Sequence, residues 1–555
     1  VQVLWFRRDL RLDDHPALQE AHGRGRVLPL FILDPDLLHH PETGPARVAF
    51  LLASLKALDD DLRRRGSRLL VRQGEPAAVL LAVVQQFSAH GVVAHIDTER
   101  LVGRVRDARV SRALARAGIP LRWLEPPGCI PDLVAYPDWR RIWHGQMAHD
   151  PLKAPTHIAT PPQDPHDAAA VLPGLAELGL EADGKPIPPA GTSAALELLE
   201  RFRDGGAAER YVRQLSQPSA RATTGLGPYL KFGVVSHRRV LHTIAELRQG
   251  SAGERRSWRQ LVSRLRWGAG MAQRFRYLPQ LELRPLWACY DGAPPLSAEQ
   301  QELYAAWQDG RTGFPVVDAA SRCLLAGGGW LDLNFRSRAI HASFLTNLCG
   351  IDWRYGALHY MRHLLDGDCC IDHYQWAMQA GVTAPGGGRG WSRIYHPGQV
   401  AVERCDPQGI FIRRWLPELA DLTNDQLGSP PPMAGYPRAV LDYTDARRKR
   451  LARLERQRRH WQPHGFSRLP ADLTPFGAER ISGCAVDWAN PPSPELSPAA
   501  LPLDQLDPQA LRDLTSWFSA SRSAARPPAG VPRKRAQRRR RGAGSDPDAI
   551  QLELW

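Results

Sequence analysis

The sequence predicts an α/β domain built on a five-stranded parallel sheet, followed by an all-α domain. Three observations carry this reading. Short β-rich runs alternate with helical stretches over the first 125 residues. From residue 191 to about 460 the apolar pattern turns helical, with many Trp and Arg. Beyond residue 466 Pro, Ser, Ala and Arg dominate, and the apolar periodicity fades.

The expected strands are Val1–Phe6, Val27–Leu33, Arg68–Val71, Val92–Ile96 and Pro120–Leu124. Helical stretches such as Ala46–Leu62 and Val105–Ala117 lie between them. Strand–helix alternation means a Rossmann-like sheet with helices on both faces, and a ligand site beyond the carboxyl ends of the strands. No G-x-G-x-x-G follows the first strand. WFRRDLRLDDHP stands there instead, which argues against an ordinary dinucleotide site. The expected boundaries are 1–128 for the α/β domain and 129–190 for a connector rich in Pro, His, Asp and Gly. The helical domain takes 191–465, and a largely unstructured basic tail takes 466–555.

The longest apolar run, Ala77–Val84, is far short of the roughly 18 residues that span a bilayer. VQVLWFRRDLRLDD puts charges after six residues, which argues against a secretory leader. The expected location is cytoplasmic. The eight cysteines form no CxxC pair, so neither a disulfide framework nor zinc is expected. Net charge is +14, and the segment Arg533–Arg541 supplies half of it. Such a tail either attracts nucleic acid or is simply solvated.

Four segments carry chemistry. TTGLGPYLKFG, Thr223–Gly233, places hydroxyls and glycines before an apolar-periodic run, a pattern suited to anions or to a plain capped helix. In WQDGRTGFPVVDAASRCLL, Asp318 and Arg322 stand four apart on one helix face and read as a surface ion pair. Arg338 precedes a carboxylate cluster of Asp366, Asp368 and Asp372 in an apolar helical region, where buried charges need partners. Two carboxylates make a poor metal cage, so no metal is expected. Trp267, Trp307, Trp330, Trp353, Trp376 and Trp391 are either core or a relay of indoles.

Read together, these segments resemble the photolyase/cryptochrome family over most of residues 1–420. WFRRDLRLDDHPAL, TTGLGPYLKFGVVS, WQDGRTGFPVVDAASR, SFL, IDWR, DGD, RIYHP and DPQGIFIRRWLPEL occur in family order and spacing. The resemblance implies a helical FAD-binding domain behind an antenna-type α/β domain. It implies FAD contacts from Tyr211, Thr223, Thr224, Leu226, Gly227, Arg338, Asp366, Asp368 and Asp372, with Arg338 and Asp366 paired beside the isoalloxazine ring. Trp376 and Trp353 resemble the inner members of an electron-transfer chain. The outer member has no clear match, with Tyr304, Trp287 and Tyr290 as substitutes. The antenna pocket begins at His95–Arg106, with Glu99 as a contact, and the pigment is left open between a deazaflavin, methenyltetrahydrofolate and none.

The resemblance also implies a DNA partner, UV-damaged and single- or double-stranded, a monomeric chain and no membrane. Arg264, Trp267, Arg336, Met378 and Arg393 are the expected DNA contacts. The sequence departs from the repair pattern, with Asp372 for Asn, Arg264 for Glu, Phe335 for Asn and Met378 for Trp. SRLRW, FRSRA and MQAGVT resemble a divergent bacterial and plant branch. The implied activity is light-driven repair of pyrimidine dimers by electron transfer from reduced FAD, making the chain a DNA photolyase, a carbon–carbon lyase. The alternative is a cryptochrome-type photoreceptor, with a nucleic-acid-binding flavoprotein third.

Overall fold

The structure, a computed structural model, describes residues 1–129, 136–162, 172–277, 282, 296–382 and 394–461. Five parallel strands, β1 Gln2–Phe6, β2 Val27–Leu33, β3 Leu70–Gln73, β4 Gly91–His95 and β5 Leu121–Leu124, lie in the order 3-2-1-4-5. This is the expected sheet, with each end within two residues of its predicted place. Every residue of β2 and β4 is buried, as expected for strands covered on both faces. Side chains alternate between two cores. Val3, Trp5, Leu28 and Leu30 face one, and Leu4, Phe6, Phe31 and Val93 face the other.

Helices of eight residues or more are numbered in chain order. Those of the first half are α1 Pro16–Gly23, α2 Pro45–Arg63, α3 Pro76–Gln86 and α4 Arg100–Arg116. The strand order reverses between β1 and β4, so a crevice opens past Phe6 and His95. Just behind it, Asp9 accepts hydrogen bonds from the Arg7 amide and from His95 Nδ1 at 2.7 Å each. The Ala17 amide donates to His95 Nε2, which fixes that ring's tautomer.

The connector contains a helix, α5 Tyr136–Ala148, that its Pro-rich flanks concealed. Trp139, Trp143 and Met147 recur every four residues and are buried together. The helical region follows with α6 Thr192–Asp204, α7 Ala207–Gln214, α8 Ala252–Tyr277, α9 Ala298–Asp309 and α10 Pro315–Gly327. Next come α11 Phe335–Ser343, α12 Trp353–His363, α13 Cys369–Gln379 and α14 Tyr443–Trp461. Phe202, Tyr211, Leu261 and Leu265 from this region share one core with the sheet. The tail from 466 on lies outside the described residues.

The surface ion pair expected of Asp318 and Arg322 does not form. Asp318 is fully buried and accepts from Thr312 N at 2.7 Å, Thr312 Oγ1 at 2.6 Å, Gly313 N at 3.0 Å and Tyr436 Oη at 2.6 Å. Its carboxylate ties the preceding turn and a distant tyrosine to the start of α10. Arg322 pairs with Glu418 at 2.7 Å instead. Among the described residues no helix is long and apolar enough to cross a membrane.

Candidate functional site

A cavity of about 430 Å³ lies where the crevice of the sheet meets the helices. That volume is within the usual range for small-molecule sites. Arg8, Asp97 and Thr98 come from the strand ends. Gly227 opens the short helix Gly227–Lys231, and Arg264 and Gly268 come from α8. Phe335 and Arg338 stand on α11, Tyr360 on α12, and Asp372, Gln375, Trp376 and Gln379 on α13.

The local sequence explains how each is held. Asn334 caps α11 by accepting from the amides of Arg336 and Ser337, both at 3.1 Å. Arg338, one turn in, donates Nε to Leu333 O at 3.0 Å and Nη2 to both oxygens of Asp366 at 3.1 and 3.2 Å. Burial works against the guanidinium charge, but Asp366 together with Tyr360 and Asp372 more than offsets it, and the Arg338 pKa rises. Gly227 packs against this pair. A β-carbon there would stand 2.6 Å from Asp366 Oδ2, so only glycine fits.

Two carboxyl groups at the start of α13 behave oppositely. Burial pushes Asp368 up, but Arg8 and Lys231 overcome it and hold its pKa at about 2. Arg8 donates to Asp368 at 2.7 Å and to Asp97 at 2.8 Å, and the Cys370 thiol donates to Asp368 at 2.8 Å. Asp372 has burial as its leading influence, which neighbouring cations only partly offset, and it rises to about 7. Its Oδ2 is buried with no hydrogen-bond partner among the described residues. Near neutral pH, then, Asp368 is an anion and Asp372 exists in both forms.

Among the described residues the aromatic side chains around the cavity make several close ring contacts. Trp376 meets Tyr360 edge-on at 5.0 Å and Trp307 at 6.1 Å between ring centroids. Trp307 stacks on Tyr304 at 5.9 Å. Trp353 instead meets His373 edge-on at 5.8 Å. At the cavity wall Phe335 sits between two cations, with Arg264 at 4.5 Å and Arg336 at 5.1 Å from its ring centroid.

The structure thus brings Gly227, Arg264, Arg338, Asp366, Asp368, Asp372 and Trp376 to one cavity. Tyr211, Thr223, Thr224, Leu226, Trp353, Trp267, Arg336 and Met378 are not among its walls. Tyr211 is buried edge-on against Phe202 in the core behind the sheet. Thr224 Oγ1 accepts from the Leu226 amide at 3.4 Å. Trp267 and Met378 pack against the helical core. Arg393, Trp287 and Tyr290 lie outside the described residues. Glu99, expected at an antenna pigment, accepts from Lys231 at 2.5 Å and faces the helical region. It also borders a second cavity at the strand ends, of about 110 Å³, below the usual ligand range.

Residues 2–125 match the family model described as DNA photolyase, and 261–456 match that of the FAD binding domain of DNA photolyase. A deoxyribodipyrimidine photo-lyase of Synechococcus sp. is 33% identical over 82% of this chain and 96% of its own. The chain belongs to the photolyase/cryptochrome family. Cryptochrome-1 of Arabidopsis thaliana is 31% identical over 77% of this chain and 64% of its own. The crystal structure of a bacterial class III photolyase from Agrobacterium tumefaciens superposes with a TM-score of 0.69, at 26% identity over 82% of this chain and 98% of that one.

The helical half is therefore a photolyase-type FAD-binding domain, and its cavity suits the cofactor. The cavity offers a glycine cradle at Gly227, the fixed Arg338 charge and an Asp372 oxygen with no hydrogen-bond partner among the described residues, an arrangement that fits a flavin. The sequence reading of this photolyase-family chain missed Arg8, Tyr360, Gln375 and Gln379. Arg8 was visible in WFRRDLR, but nothing local tied it to a carboxylate 360 residues away.

Proposed function

We propose that this chain is a DNA photolyase that uses reduced FAD and blue light to split UV-induced pyrimidine dimers. One observation carries the reading. The cavity holds the Arg338–Asp366 pair and Asp372, and its wall continues into the Arg264–Phe335–Arg336 cluster. Bound FAD would absorb the light and supply the electron.

The chain's own residues position and tune. Arg338 and Asp366 would set a fixed, internally neutral charge pair beside a bound isoalloxazine ring. Asp372 holds or releases a proton at Oδ2. Arg264 and Arg336 attract backbone phosphates, while Gln375 and Gln379 offer donors and acceptors to base edges. A dimer is poorly stacked and unpairs at reduced cost, so it can enter a cavity of this kind.

The test is restoration of bases. The protein is reduced, mixed with oligonucleotides carrying thymine dimers or (6-4) lesions in single- and double-stranded form, and illuminated. Turnover on one lesion supports the proposal, and none on any removes it. A second reading, a photoreceptor without repair, is favoured by Asp372 at about 7, because a carboxyl group that exchanges its proton near neutrality can convert a light event into a lasting charge change. Light-driven proton uptake or release with no lesion turnover would select it.

A further inference from the structure

α13 presents one buried histidine that the mechanism above does not use. His373 follows Asp372 directly and is 2% exposed. Its Nε2 lies 3.1 Å from Glu42 Oε1, and Glu42 belongs to the N-terminal half, in the loop before α2. Glu42 Oε2 is in turn held by Arg100 of α4. The other ring nitrogen, Nδ1, faces Asp372 Oδ2 across 3.7 Å. Neither of those two atoms has a hydrogen-bond partner among the described residues. The edge contact with Trp353 fixes the plane of the imidazole.

We propose that His373, charged and anchored by Glu42, is the proton reserve that refills Asp372. The proposal rests on the reading that Asp372 serves a bound flavin. Once Asp372 has released its proton into the cavity, a carboxylate stands beside an imidazolium. A small side-chain rotation or one bridging water closes the 3.7 Å gap. The His373 Nδ1–H bond breaks and an Asp372 O–H bond forms. The N–H electron pair stays on Nδ1, leaving a neutral imidazole whose Nε2–H still donates to Glu42. One proton moves and no electron does. The ring later regains its proton from solvent.

The surroundings agree. His373 is faced by Glu42, Asp372 and Glu282, with Cys369 one turn earlier on its own helix. Burial opposes the charge on His373, and the three carboxyl groups outweigh it, so its pKa rises. Asp372 also feels Arg338 and Asp366. Burial pushes Glu42 up, but His373 and Arg100 together hold it far below the usual range, so it acts as an anchor and never as the donor. His40 beside Glu282 falls to about 4 and stays neutral.

The experiment uses FAD-loaded full-length protein and time-resolved infrared spectroscopy after a flash. The carbonyl band of protonated Asp372 is assigned by its absence in Asp372→Asn. In the wild type the band bleaches and recovers together with loss of imidazolium bands. Glu42→Gln should slow recovery by at least about tenfold above neutral pH, the change that follows if losing the anchor lowers the histidine pKa by about one unit. Equal recovery in wild type and Glu42→Gln, with normal FAD loading, would overturn the proposal. Should Glu42→Gln fail to fold, ¹⁵N-histidine spectra of the dark wild-type protein decide. His373 must be doubly protonated at neutral pH, and a neutral ring overturns the reserve. Failure to take up FAD, or an Asp372→Asn variant that keeps the band, would instead sink the flavin reading, and this proposal with it.

Discussion

Arg8 Nη1 lies 2.7 Å from Asp368 Oδ2, and this contact bolts the end of β1 to the start of α13. Arg8→Ala would leave Asp368 largely buried beside Asp97 and Glu99 with one cation fewer. Breaking a fully buried pair costs roughly 3–5 kcal/mol, and the partial exposure of this one reduces that to about 2–3 kcal/mol. Urea denaturation of the two proteins would measure it, and a loss under about 0.5 kcal/mol would refute it.

Acid stability should follow the same contact. Asp368 is held at about 2, below its unfolded value. A depressed carboxyl contributes stability that is fully present above the unfolded value and lost as pH falls through the folded one. The Arg8–Asp368 contribution should therefore fade between about pH 4 and pH 2. Melting curves of wild type and Asp368→Asn should converge over that window.

Asp372 has the opposite sign. Its folded pKa of about 7 lies above the unfolded value, so its favourable share is complete below about pH 4 and lost as pH rises through 7. Asp372→Asn removes that penalty. It should stabilise the protein at pH 8, by an amount on the order of 2–4 kcal/mol, and change little at pH 4. Calorimetry at the two pH values tests this, and equal gains at both would contradict it.

Arg338→Leu should strip the cofactor. Removing the guanidinium leaves Asp366 unpaired beside Gly227, at a cost of about 1.5–3 kcal/mol for the lost charged hydrogen bonds. The flavin-to-protein absorbance ratio of the purified variant should fall well below that of the wild type, with Arg338→Lys between them.

Arg264→Ala and Arg336→Ala should weaken DNA binding through phosphates. Each removed contact lowers the salt slope of log K by about 0.9 on duplex DNA. Fluorescence anisotropy over a salt series would read this. An unchanged slope would move the DNA surface away from Phe335.

The parallel sheet was legible because each strand is a compact β-rich run between helical stretches, with no competing period. The Arg338–Asp366 pair was legible only through the family resemblance, since a separation of 28 positions carries no local signal of contact. α5 was missed because Pro-rich flanks drowned a short Trp–Trp–Met stripe. Asp318 was misread because its four donors come from outside its own helix. Glu42, Arg8 and His373 could not be assigned, because their partners lie across the chain and charge alone does not reveal distance.

The core behind the sheet takes Phe202, Leu261 and Leu265 from the helical region, and the cavity takes Arg8 and Asp97 from the strand ends. The two regions visible along the sequence thus share a core and a cavity in space. Cutting the gene at the connector would give two fragments, each with a sticky apolar wound, and neither able to shape the pocket alone. Recombination between relatives should succeed only when both pieces are inherited together.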